Sequence, residues 1–245
     1  MALGDFSPQA KVYAARPGYP VELVDRLVAR VGASAGDRVA DLGAGTGIFT
    51  QLLAARGLVV DAIEPNVAMR AEAPPLPGVR WHDGTFEATG LATASVRWAT
   101  AAQAFHWADP PRALPELHRV LVPGGFLTCL WNDRRDAESE LLRAVMAIIR
   151  RDAPAFDELY RARDWPAILV TDGWFGDVAT DLALHTIPMP RDRFRNLWRS
   201  HNRLAESAGL ALPRVLAAID ALTADLDVVP VPYVTRAFTA RAMVR

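Results

Sequence analysis

The chain is short of most residue types that carry chemistry on their own. Among 245 residues there is one cysteine, Cys129, set in an apolar run. A lone thiol forms no intramolecular disulfide, and there it reads as a buried, inert side chain rather than a nucleophile. Lys11 is the only lysine, and arginine carries the rest of the positive charge. That usage, with abundant Ala, Pro and Asp, points to a GC-rich bacterial genome. The 27 basic and 28 acidic residues leave a formal net charge of −1. Nothing in that balance calls for a nucleic-acid partner. No run approaches the ~20 apolar residues that span a bilayer. The first residues, Asp5 among them, hold no continuous apolar segment of a signal peptide. A cytoplasmic protein with no membrane partner is therefore expected. The five histidines lack the i, i+4 or Cys-rich spacing of a metal site, so no metal is expected. There are no internal repeats, low-complexity tracts or long linkers.

What is present is an alternating α/β pattern. With 51% hydrophobic and 22% charged residues, the chain can bury a large core, as one α/β domain or a core plus a smaller cap. Val24, Leu27, Val28 and Val31 recur at i, i+3, i+4, i+7, predicting a helix closed by Gly32. Strands are predicted over 38–42, 58–63, 79–82, 96–104 and 126–131. Between them lie helices over about 46–56, over 66–73, and from Pro110 through Leu121, where Pro123-Gly124-Gly125 is read as a break. This spacing implies βαβ units and a parallel sheet with helices on both faces. Beyond Asn132 helices are predicted around 141–149 and 155–163, a sixth strand over 179–187, two helices between about 191 and 226, and a last strand around 233–243. Inserted helices of that length would cap the strands' carboxyl ends, where open α/β sheets bind ligands.

The most informative segment joins the first strand to its helix: Asp41-Leu42-Gly43-Ala44-Gly45-Thr46-Gly47-Ile48. Glycines at 43, 45 and 47 permit left-handed dihedrals and close approach of a ligand to the main chain. A helix starting near Thr46 would aim its free N–H groups and positive dipole end at that ligand. A dinucleotide turn wants G-x-G-x-x-G, whose third glycine would fall at Ile48, and gives no role to an acid at 41. The segment resembles motif I of the class I S-adenosylmethionine (AdoMet) dependent methyltransferases, in which an acid at the strand end faces the cofactor's cationic amino-acid portion. The resemblance implies AdoMet as cofactor and S-adenosylhomocysteine (AdoHcy) as product.

The second strand ends in Ile63-Glu64-Pro65-Asn66, where a carboxylate can accept both ribose hydroxyls. In the methyltransferase pattern His82-Asp83-Gly84-Thr85-Phe86-Glu87 closes over the adenine. Thr85 stands where the family usually has aspartate, with Phe86 next to it, and Asp83 and Glu87 are alternatives for the polar contact. Gln103-Ala104-Phe105-His106-Trp107 ends the fourth strand beside the expected sulfonium, which aromatic faces favour. Gln103 reads as a cofactor or backbone contact. His106 has two readings, general base for an acceptor hydroxyl and structural hydrogen-bonder. Those five residues, with the run from Ala113 to Gly125 and with Tyr13 to Pro20, are similar to the type 11 branch of the family and to its trans-aconitate methyltransferase-like members. In them an N-terminal lid bearing Tyr13 and Arg16 lies over the cofactor.

The resemblance implies a Rossmann-like class I methyltransferase fold: a seven-stranded, mostly parallel sheet with helices on both faces and a helical cap. The expected divisions are a lid and first helix (1–34), the cofactor-binding core (35–135), cap helices (136–178), and the last two strands (179–245) with a helical insertion at about 190–226. The expected cofactor residues are Tyr13, Arg16, Asp41, Gly43, Ala44, Gly45, Thr46, Gly47, Glu64, Pro65, Thr85, Phe86 and Gln103. Acceptor contacts are sought at His106, Trp107, Trp131, Arg195 and Arg199, since arginines fork onto carboxylate or phosphate. The alternative for Arg195 and Arg199 is a solvated helix face. Trp165, Trp174 and Tyr233 are candidate pocket aromatics whose default place is the core. The activity so implied is methylation of a small molecule, anionic if the arginines face the pocket, with oxygen the favoured atom. The alternatives are an AdoMet fold turned to another reaction such as cyclisation, and a nicotinamide oxidoreductase. A monomer or homodimer is expected.

Overall fold

Hydrophobic periodicity builds the first layer. In α1 (Val21–Val31) Leu23, Val24, Leu27 and Val31 are all buried, and Gly32 closes the helix in the left-handed conformation at φ 60°. There follow β1 (Arg38–Leu42), α2 (Ile48–Ala54), β2 (Val59–Ile63), α3 (Val67–Ala71), β3 (Val79–His82), β4 (Val96–Ala102), α4 (Pro110–Val120) and β5 (Leu121–Arg134). Then come α5 (Glu140–Asp152), α6 (Trp165–Leu169), β6 (Phe175–Pro190), α7 (Arg191–Arg199), α8 (Asn202–Ala208), α9 (Leu212–Leu222) and β7 (Val228–Ala242). The computed structural model describes residues 6–244.

The strands form one seven-stranded sheet in the order β3-β2-β1-β4-β5-β7-β6. Pairing is parallel from β3 through β5, and β7 runs antiparallel between β5 and β6. The expected architecture is therefore the observed one. The chain travels outward from β1 to β3 and then returns to place β4 on β1's other edge. That reversal leaves a crevice beyond the carboxyl ends of β1 and β4, where doubly wound sheets bind ligands. On one face of the sheet α1 buries Leu23 and Leu27 with Val39, Trp98 and Leu130. On the other, Leu114 and Leu117 of α4 join Phe105, Trp131 and Trp165. A third cluster forms the cap, where α5, α7, α8 and α9 pack around Val229, Val231 and Tyr233 of β7.

Four local expectations change. Leu121 opens β5 instead of ending α4, and Pro123-Gly124-Gly125 bulges within the ladder rather than breaking it. Register moves from Val96↔Leu121 to Trp98↔Phe126, so two residues of β4 span five of β5. No continuous helix covers 155–163. Asp157 accepts from Leu159 N (3.3 Å) and Asp164 from Ala167 N (3.1 Å), leaving only a single 3-10 turn at Leu159–Ala162 and then α6. Such side-chain acceptors compete with a continuing helix. The helix after the glycine turn starts at Ile48, because Gly47 at φ 82° is its cap. The last two strands are longer than periodicity indicates, because their antiparallel pairing extends to Pro188–Pro190 against Val228–Pro230, up to the helical insertion that joins them.

Candidate active site: a two-lobed cleft at the strand ends

The glycine turn is closely packed where it does not face the cleft. A Cβ on Gly43 (φ 63°) would lie 2.6 Å from Ala104 Cβ, and one on Gly45 (φ 60°) 3.3 Å from Met69 Cε and 3.7 Å from Tyr13. The turn's own N–H groups are largely consumed: Ala44 N donates to Ile63 O, Gly47 N to Ala44 O and Gly45 N to Glu64 Oε2. The anticipated row of free N–H groups is thus replaced by a rigid loop that holds a carboxylate. Glu64 also accepts from Asn66 N through Oε1 at 2.9 Å. Burial raises its pKa, against the pull of those two backbone N–H groups and of Arg70.

One lobe of the cleft lies over this turn, walled by Phe6, Tyr13, Glu64, Pro65, Thr85 and Phe86. The second lobe runs from Asp41, Ala44, Gln103 and His106 to the cap residues Arg134, Tyr160, Arg203 and Tyr233. Gly43, Gly45, Gln103 and Trp107 belong to both walls, so the lobes are continuous. Empty space, counted to where they open to solvent, is about 1020 Å³ in the first lobe and about 1060 Å³ in the second.

Asp41 is 1% exposed. It accepts from Thr50 (2.6 Å) and from Thr100 (2.8 Å), its neighbour across the β1–β4 pairing. Burial outweighs these bonds and raises its pKa to about 6. Gln103, at φ 56°, is a non-glycine residue in the left-handed region just past β4. Its Nε2 donates to Asn132 O (2.9 Å), while its Oε1 is buried with no hydrogen-bond partner. His106 stacks on Tyr160 at 4.3 Å and accepts at Nδ1 from Trp131 Nε1 (3.3 Å). Burial, with Arg203, Arg163 and Arg16, pushes its pKa down to about 3.

A methyltransferase-domain model matches residues 40–129. An uncharacterised methyltransferase of Mycobacterium tuberculosis is 38% identical over 229 residues, covering 85% of this chain and 91% of the relative. The chain belongs to the methyltransferase family. A solved structure described as a candidate type II methyltransferase from Anaeromyxobacter dehalogenans superposes with a TM-score of 0.66 at 25% identity, covering 93% of this chain and 97% of its own. The same fold is found in the (4+2)-cyclase SpnF, at TM-score 0.53 and 19% identity, over 94% of this chain and 85% of that one.

In this methyltransferase the cleft gathers Tyr13, Arg16, Asp41, Gly43, Ala44, Gly45, Glu64, Pro65, Thr85, Phe86, Gln103, His106 and Trp107. Thr46 and Gly47 are not on its wall: Thr46 is buried beneath the turn and Gly47 packs toward Trp81. In the 82–87 loop Asp83 is out at the surface beside Arg70, and Glu87 is taken by Asp109 N at 2.8 Å, leaving Thr85 on the wall. Trp131 is fully buried and stacked on Trp165 at 4.3 Å, so it meets an acceptor only through His106. Arg195 and Arg199 both bind Asp220, which holds them on the outer face of the cap and out of the cleft. His106 cannot act as a base in the tautomer found: an indole donates only, so Nδ1 is the acceptor and Nε2 carries the proton.

Besides the expected Arg16, three arginines reach the second lobe, Arg134, Arg161 and Arg203, and the sequence did not single them out. Arg134 had a legible signal, being in line with the fifth strand's carboxyl end. Arg161 and Arg203 had none, because the irregular 153–164 segment and α8 reach the cleft only by tertiary packing. Among the described residues there is no cluster of His, Cys, Asp or Glu fit for a metal, and no helix long and apolar enough to cross a membrane.

Proposed function

We propose that this methyltransferase uses AdoMet and methylates a small-molecule acceptor at oxygen. The observation that carries the reading is the pair of carboxylates on one cleft: Asp41 at the end of β1 and Glu64 at the end of β2, joined by the Gly43–Gly47 turn. Glu64 has one hydrogen bond on each oxygen from the backbone, leaving both oxygens free to accept a second bond from the hydroxyls of a ribose. Asp41 is a buried carboxylate without a cationic partner, and a ligand ammonium would supply one. Phe86 gives the first lobe an apolar wall for a base, held edge-on against Phe105 at 5.6 Å. Bound there, AdoMet would supply an electrophilic methyl group on a sulfonium.

The protein's own part is alignment and exclusion of water. Tyr13 and Phe6 lie across the first lobe, Gln103 and Trp107 stand at the junction, and the acceptor occupies the second lobe. Holding two reactants in line in this way is worth ~7–11 kcal/mol. Ile48, standing where a dinucleotide turn would have its third glycine, is itself on the cleft wall, which counts against the nicotinamide reading.

Titration calorimetry with AdoMet, AdoHcy and NAD tests the cofactor. AdoMet and AdoHcy should release heat and NAD should not, and Gly45→Arg should abolish the response by filling the turn. Tight NAD binding with none for AdoMet would overturn the proposal. Transfer of isotopic label from AdoMet to a small molecule separates methylation from a cyclase-like use of the fold.

A further inference from the structure

The second lobe has walls rich in hydrogen-bond donors and poor in free acceptors. Four arginines line it: Arg16, Arg134, Arg161 and Arg203. Three are held by carboxylates, Arg134 by Asp136, Arg161 by Glu158 and Arg203 by Asp157. Arg16 has none. It donates to Ser200 O (2.9 Å) and to His201 Nε2 (3.4 Å), and its Nε–H is buried without a partner. Arg203 Nε and the phenol oxygen of Tyr233 are also buried and unpartnered, although Tyr233 is only 3% exposed. His106 adds another donor, since Trp131 fixes its proton on Nε2.

Among the described residues the same walls hold no free base. His201 donates Nδ1 to Leu197 O at 2.8 Å and turns Nε2 to Arg16. Glu158 is bound by Arg161, and Asp41 by two hydroxyls. Burial and nearby arginines push both histidines down, so both stay neutral. An alcohol acceptor must lose a proton during transfer, and among the described residues no lining residue is placed to take it. A ligand oxyanion meets both conditions, because it satisfies the donors and brings no proton to lose.

We infer that the second lobe is a carboxylate receptor, built on Arg16, Arg203, Tyr233 and His106, and that the acceptor is a small carboxylic acid methylated to its ester. The inference rests on the AdoMet reading above. In the transfer a carboxylate oxygen lone pair forms the O–CH₃ bond while the S–CH₃ bond breaks toward sulfur. Carboxylate and sulfonium become a neutral ester and a neutral thioether, and no proton moves.

Three measurements on the full chain test it. In thermal melts at constant ionic strength, acetate should stabilise the cofactor-free protein and acetamide should not. Tyr233→Phe should remove that response without lowering the melting temperature of the ligand-free protein, since it deletes only an unpartnered hydroxyl. With methyl-labelled AdoMet and a bacterial small-molecule extract, mild alkali should release the product's label as methanol, and Tyr233→Phe should raise KM by about tenfold with kcat nearly kept. Equal stabilisation by acetamide, alkali-stable label, no labelled product despite AdoHcy binding, or an unaffected Tyr233→Phe would each overturn the carboxylate inference. An inorganic phosphate response in place of the acetate one would do the same, by assigning the donors to a phosphate anchor. Failure to bind AdoHcy at all would instead sink the cofactor reading.

Discussion

Trp131 Nε1 donates to His106 Nδ1 at 3.3 Å, deep behind the junction of the two lobes. The bond fixes the histidine's tautomer from the core side. Wild-type His106 should therefore remain neutral, with its proton on Nε2, down to pH 4 by nitrogen-15 NMR. A midpoint near 6.5 would refute the assignment. Trp131→Phe should restore ambiguity to the tautomer and cost about 1–3 kcal/mol of stability through the lost bond and volume.

Asp41 should make cofactor binding acid-sensitive. Its pKa, raised by burial to about 6 from 3.8, means the folded chain holds more protons than the unfolded one between those values. Its contribution to ligand-free stability therefore rises as pH falls through 6 toward 4, and the ionised form at pH 7 costs about 3 kcal/mol. A cationic ligand favours the ionised form, so AdoHcy affinity should fall roughly tenfold per pH unit below 6. Asp41→Asn should bind AdoHcy more weakly and with a flat profile from pH 5 to 7. A flat wild-type profile in calorimetry would contradict this.

The N-terminal strap is tied to the cap by Arg193, whose Nε donates to Ala15 O (3.2 Å) and whose Nη2 donates to Arg16 O (3.0 Å). Arg193→Met should loosen the strap without disturbing the sheet. Dissociation of AdoHcy in stopped flow should accelerate at least about tenfold, since ~1.4 kcal/mol is a factor of ten and a charged hydrogen bond contributes ~1.5–3 kcal/mol. Tryptic cleavage after Lys11, exposed on the same strap, should quicken in parallel. An unchanged dissociation rate would mean that the strap does not retain the ligand.

Arg195→Gln and Arg199→Gln should leave the acceptor KM within about twofold of wild type, since both side chains are bound to Asp220 outside the cleft. A small loss of thermal stability is expected from these partly exposed ion pairs. A large KM change in either variant would move the acceptor site.

Local chemistry made much of the fold legible. The 3.6-residue recurrence of Val24 to Val31, the apolar runs of β1 and β2, and the glycines between them each act over a few neighbouring residues. The Asp41–Gly47 turn and Glu64 were readable for the same reason, since motif and ladder register place them close together. The reading failed where distant segments decide. Arg195 and Arg199 could be acceptor contacts or a solvated helix face, and only Asp220 on α9 decides between them; His106 could be a base or a structural hydrogen-bonder, and only Trp131 behind it decides.

The sequence alone determined the sheet's alternating layers, the glycine turn and its two carboxylates, because these depend on side-chain period and backbone freedom within short stretches. Tertiary structure alone decided the second lobe. Arg16, Arg203 and Tyr233 come from the N-terminal strap, the cap and the last strand, at positions far apart in the chain. Their meeting, and the unpaired state of their donors, follows from how the cap packs on β7, which no local pattern encodes.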